Sequence, residues 1–88
     1  MLKPVYTNKI LKDLKLAQKR GLNLKKLKHI VTLLCESNEL PKQCRPHVLS
    51  GNCSNYWECH IAPDWLLIYE FVESEIHLIR TGTHSDLF

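Results

Sequence analysis

The chain has no apolar run near the roughly 20 residues that a membrane-crossing helix needs. Behind Met1-Leu2-Lys3-Pro4-Val5-Tyr6 there is no hydrophobic signal stretch or cleavage site, so a cytoplasmic protein is expected. The four cysteines, Cys35, Cys44, Cys53 and Cys59, form no C-x-x-C pair, which argues against a zinc knuckle or a redox motif. The set Cys44, His47, Cys59 and His60 matches no zinc spacing, and reduced thiols are expected without a secretion signal. Internal repeats, low-complexity segments and linkers are also missing. Residues 1–88 are therefore expected to form one domain, with a thin core and no room for a large cofactor.

Acidic residues are scarce in the first half and basic ones in the second. Residues 1–45 carry eleven Lys and Arg against Asp13, Glu36 and Glu39, a balance of +8. Residues 46–88 carry only Arg80 against six carboxylates, a balance of −5. A basic first half suits RNA phosphates; it equally suits the solvated faces of amphipathic helices.

Lys3 to Tyr6 reads as a short strand. Thr7 then caps a helix running to about Arg20, with Gly21 just past its end. Ile10, Leu11, Leu14 and Ala17 form its apolar stripe. Asn23 caps a second helix, Leu24 to about Ser37, with Leu24, Leu27, Ile30, Val31 and Leu34 facing the core. The short break at Gly21-Leu22 folds the two into an antiparallel hairpin. Asn38 to Pro46 reads as a loop and His47 to Leu49 as a short strand. Tyr56 to Ala62 alternates, with Trp57, Cys59 and Ile61 on one side and Tyr56, Glu58 and His60 on the other. Pro63-Asp64 and Glu73-Ser74 are turns around the apolar strand Trp65 to Val72. In the last strand Arg80 falls on the side of Ile76 and Leu78, so it must emerge at the core's rim or meet an anion, Glu58 or Asp64. The order β-α-α-β-β-β-β predicts an α+β fold, a short strand and helical hairpin packed on a mostly antiparallel sheet.

The strand ends concentrate His60, Asp64, Arg80 and His84. Two imidazoles, a carboxylate and a guanidinium are what RNA scission by a 2′-OH requires. A base removes the hydroxyl proton, an acid protonates the departing 5′-oxygen, and a cation holds the charge on phosphorus. His60 shares a face with Glu58, and Asp64 follows it past a proline turn. His84 lies beyond the last strand and His47 before Gly51. His29 and His77 read as surface residues.

Four stretches, in this order, resemble a known family: Lys15-Leu16-Ala17-Gln18-Lys19-Arg20, His47-x-Leu49-x-Gly51, His60-Ile61-x-Pro63-Asp64-Trp65-Leu66-Leu67-Ile68-Tyr69, and Arg80-x-Gly82-x-His84-x-x-Leu87-Phe88. The chain resembles the RelE superfamily of bacterial type II toxin–antitoxin toxins, and within it the YafQ group, over nearly its whole length. The resemblance implies an endoribonuclease (mRNA interferase) that cuts messenger RNA, usually in the ribosomal A site, with no metal and no cofactor. It implies a cognate antitoxin that wraps the toxin, operator DNA bound only through that antitoxin, and no membrane.

Family functional positions fall on His47, His60, Asp64, Trp65, Arg80, His84 and Phe88. His84 is the expected acid, His60 or Asp64 the base, and Arg80 the clamp on the phosphate, with His47 as phosphate contact or second base. Trp65 and Phe88 are expected to stack on nucleotides or to pack, and Lys15 and Lys19 to meet RNA. Trp57 stands where relatives commonly carry arginine, which removes positive charge expected near the groove. A ribonuclease acting on free RNA and a non-catalytic RNA- or ribosome-binding module are the alternatives.

Overall fold

The computed structural model describes residues 2–36, 40, 42–49 and 56–87. Strand β1 (Lys3–Tyr6) leads into helix α1 (Asn8–Lys19) and helix α2 (Leu24–Cys35). A 3-10 turn at Lys42–Cys44 precedes β2 (His47–Val48), and β3 (Trp57–Ala62), β4 (Trp65–Val72) and β5 (Glu75–Gly82) follow. A last short helix, α3, spans His84–Leu87. The sheet order is β1-β5-β4-β3-β2. Only β1 runs parallel to its neighbour β5; the other pairs are antiparallel.

The helix boundaries follow from capping chemistry. The Thr7 hydroxyl accepts the Ile10 N–H at 3.3 Å and donates to the Leu78 carbonyl at 2.8 Å, which ties the start of α1 to β5. At the other end Gly21 adopts φ +76°, a left-handed conformation that side chains resist. Gly21 N–H then reaches the Gln18 carbonyl and Leu22 N–H the Ala17 carbonyl, a Schellman closure. The Asn23 side chain accepts the Lys25 N–H at 3.0 Å and starts α2.

Ile10 and Ala17 of α1 and Leu27, Ile30, Val31 and Leu34 of α2 meet Cys59, Leu67, Tyr69, Ile76 and Leu78 of the sheet. Each such aliphatic or aromatic side chain contributes about 1.5–3 kcal/mol by leaving water, and together they hold the hairpin on the sheet. Leu11, expected in the stripe of α1, is 46% exposed. Ile10 and Ala17, two turns apart, define a narrower buried face. The end of α2 comes at Cys35, with Glu36 as its cap.

Two register shifts change the alternation that the sequence suggests. In β5, Leu78 pairs with Tyr69 but Arg80 pairs with Ile68, so Ile79 is an extra residue. The bulge moves Arg80 out of the row of Leu78 and puts Thr81 opposite Leu67 instead. The expectation that Arg80 shares the side of Ile76 and Leu78 is thus corrected. A second irregularity between His60 and Ala62 bends the end of β3.

Candidate active site

Leu66, near the start of β4, pairs with His60 on one side and with Gly82 on the other. The Pro63–Asp64 turn and the chain leaving β5 therefore meet at one end of the sheet. Asp64 Oδ1 accepts the His84 backbone N–H at 3.1 Å and lies 2.7 Å from His84 Nδ1. An ionised carboxylate only accepts, so Nδ1 carries the proton and Nε2 is left for another partner. The two bonds from His84, side chain first, hold the Asp64 carboxyl below the usual carboxylate range. The His60 ring lies beside this pair, 5.7 Å between centroids and inclined by 47°. His60 Nδ1 is buried and has no hydrogen-bond partner among the described residues.

One same-face row further along the strands, about 7 Å away, the register aligns His47, Glu58, Ile68 and Arg80 across β2, β3, β4 and β5. Cross-strand partners share a face, so this row flanks the His60–Leu66–Gly82 row. His47 Nδ1 lies 2.9 Å from the Arg45 carbonyl, and Nε2 lies 3.5 Å from Oε1 of the buried Glu58. Arg80 engages Asp13 of α1 through Nε at 2.6 Å and Nη2 at 3.2 Å. That hydrogen bond is the main cause holding the Arg80 pKa above its ordinary value. The contact uses one edge of the guanidinium and leaves its Nη1 end for a second anion. A cavity of about 670 Å³ adjoins His60, bordered by Lys26, His29 and Arg45, and among the described residues none that lines it is acidic.

A family model described as the bacterial toxin of type II toxin–antitoxin systems, YafQ, matches residues 2–88. The chain belongs to the YafQ toxin family. It is similar to the mRNA interferase toxin YafQ of Escherichia coli K12, 42% identical over 84 residues, which cover 94% of this chain and 91% of that protein. The crystal structure of YafQ from E. coli BL21(DE3) superposes with a TM-score of 0.92 at 37% identity, covering 100% of this chain and 99% of the other. YafQ in the E. coli DinJ–YafQ toxin–antitoxin complex gives 0.89 at 40% identity, over 99% and 97% of the two chains.

In this YafQ-family chain the structure brings His60, Asp64 and His84 together and sets His47 and Arg80 in the adjoining row. Trp65 is 3% exposed and packed in the core, so its ring presents no face to a base. Of the two readings, stacking on a nucleotide or packing, the structure shows packing: Trp65 opens the central strand and its side chain joins the core cluster. Lys15 and Lys19 stand exposed on α1, and neither pairs with a carboxylate among the described residues. Phe88 lies outside the described residues, as do Gly51 and Cys53. Trp57 pairs with Tyr69 rather than lying in the row of Glu58 and Arg80, and its ring meets Phe71 edge-on at 6.2 Å. Trp57 therefore falls on the core-facing row, not on the row of the site.

The carboxylate that engages Arg80 is Asp13, not Glu58 or Asp64. Only the bulge and the packing of α1 across the sheet edge bring residues 67 positions apart into contact. One signal was available: Asp13 is the sole acidic residue of an otherwise lysine-rich helix.

Proposed function

We propose that the protein is the toxin of a type II toxin–antitoxin pair that cleaves messenger RNA at the ribosomal A site without a metal. The observation that carries this reading is the His84–Asp64 pair at 2.7 Å with the His60 ring beside it, its centroid 5.7 Å from that of His84. The ribose 2′-OH attacks the adjacent phosphorus in line. His60 takes the hydroxyl proton, and the protonated His84 gives one to the departing 5′-oxygen. The products are a 2′,3′-cyclic phosphate and a 5′-OH end.

Asp64 orients His84 through its backbone N–H and Nδ1. Its lowered pKa makes it a poor base, which favours His60 for that role. The free end of Arg80 and His47 face the charge that develops on the phosphate. Acid and base catalysis supply roughly 10²–10⁴-fold each. The ribosome supplies the alignment that so small a protein lacks. Lys15, Lys19 and the basic border of the cavity receive flanking phosphates, so association weakens as salt rises. The activity belongs in the cytoplasm, and a cognate antitoxin, as DinJ is for E. coli YafQ, restrains it.

End-mapping of a defined messenger RNA, with and without translating ribosomes, tests the reading. Discrete 5′-OH ends should appear with ribosomes, and His84→Ala should reduce them at least roughly tenfold while remaining folded. Cuts without ribosomes point to an enzyme of free RNA. Equal cutting by His84→Ala removes His84 from the mechanism.

A further inference from the structure

We propose that Arg20 and Asp86 are positioning residues, an ion pair that latches α3 to the end of α1 and thereby holds His84 against Asp64. Helix α3 has four residues, too few to persist on its own helical propensity. It is held from two sides. Asp64 grips its first residue, His84, through the backbone N–H and Nδ1. Arg20, the residue that closes α1, grips Asp86 through Nη1 at 2.6 Å and Nη2 at 3.3 Å.

The same carboxylate completes a capping box. Asp86 Oδ2 accepts the Thr83 N–H at 3.0 Å, while the Thr83 hydroxyl accepts the Asp86 N–H at 3.2 Å. Asp86 thus joins three elements, α1, the end of β5 and α3. Arg20 first, and Thr83 second, hold its carboxyl well below the usual range. The chain makes room for this carboxylate at Gly82, where a Cβ would lie 2.9 Å from Asp86 Oδ2 and 3.0 Å from its Cβ.

The pair is solvent-exposed, at 40% and 25% for the two side chains. Exposed pairs of this kind add little to global stability. Its consequence is local: without Arg20, α3 keeps its own Thr83–Asp86 capping box but loses its tie to α1, Asp64 is left as the side chain that holds His84, and the His60–His84 geometry loosens. The motif Lys15–Arg20 then has a role beyond a basic helix face, because its last residue reaches the catalytic end of the sheet.

The consequence for cleavage rests on the function proposed above, so the test reads geometry and cleavage separately. Wild type, Arg20→Ala, Arg20→Lys and Asp86→Asn are compared by nuclear magnetic resonance, thermal melting and single-turnover cleavage of a defined messenger RNA on ribosomes. In Arg20→Ala and Asp86→Asn, amide exchange at His84 and Asp86 should accelerate at least roughly tenfold. The nuclear Overhauser contact between the His60 and His84 rings should weaken, with the melting temperature nearly unchanged. The cleavage step should slow several-fold with little change in half-saturation, and Arg20→Lys should recover part of both effects. Unchanged exchange and ring contact in Arg20→Ala overturn the latch, whatever the cleavage. Loosened geometry in a protein whose wild type cuts no RNA upholds the latch and overturns the ribonuclease reading. Loosened geometry with full cleavage overturns the positioning role.

Discussion

Replacing Asp13 with alanine removes the carboxylate that binds α1 to the end of β5. Asp13 accepts three hydrogen bonds: Arg80 Nε at 2.6 Å, Arg80 Nη2 at 3.2 Å and the Thr81 N–H at 3.1 Å. Its side chain is 12% exposed, against 35% for Arg80. Severing a fully buried pair costs about 3–5 kcal/mol, and hydrogen bonds to charged groups contribute about 1.5–3 kcal/mol. Water still reaches the Arg80 guanidinium, so the loss falls at the lower end, about 2–3 kcal/mol. For a domain of this size each kcal/mol moves the melting temperature by about 4–8 °C, so a drop of about 10–20 °C is expected. Thermal melts followed by circular dichroism at neutral pH measure it. A cycle with Arg80→Ala should return a coupling of about 1–2 kcal/mol. A melting point within about 3 °C of wild type, or a coupling of zero, refutes the claim that this pair anchors the helix to the site.

Thr7→Ala removes both the cap of α1 and its bond to Leu78, and should cost about 1 kcal/mol in urea unfolding; a neutral result would show that the cap is replaced by water. Burial pushes the Cys59 thiol up to about 12. Native protein at about pH 8 should therefore leave Cys59 unlabelled by a thiol reagent that modifies it on unfolding. The raised value also means that the Cys59 contribution to stability is complete below the unfolded value, about 8.5, and shrinks as pH rises beyond it; flat stability through alkaline pH would contradict this. Asp64 and Asp86 titrate below their ordinary values. The docking of α3 should thus be intact above about pH 5 and weaken as acid protonates them below about pH 4. Amide exchange at His84 reads this directly, and constant protection into strong acid would dismiss these carboxylates as anchors.

Much of the fold is written in short-range chemistry. Thr7, Gly21 and Asn23 mark helix ends because a cap depends on residues within a few positions. The Pro63-Asp64 and Glu73-Ser74 turns bound β4 for the same reason. His60, Asp64 and His84 could be singled out from residue type and strand-end position. Thr83-x-x-Asp86 was also readable as a capping box, yet four residues at a chain end carry no periodicity, and α3 was not anticipated.

What the sequence by itself determined is the order of elements from β1 to β5 and most of their apolar faces, because alternation and helical spacing are properties of neighbours. What only the tertiary structure decided is partnership across distance. The bulge at Ile79 reversed the phase of the last strand, so Arg80 left the row of Leu78, and α1 supplied its carboxylate from 67 residues away. The same packing carried Arg20 to Asp86 across 66 residues and enclosed Trp65 in the core. An ion pair needs only charge and proximity, and many pairings satisfy the charge. Proximity is fixed when the helical hairpin buries its apolar face on the sheet.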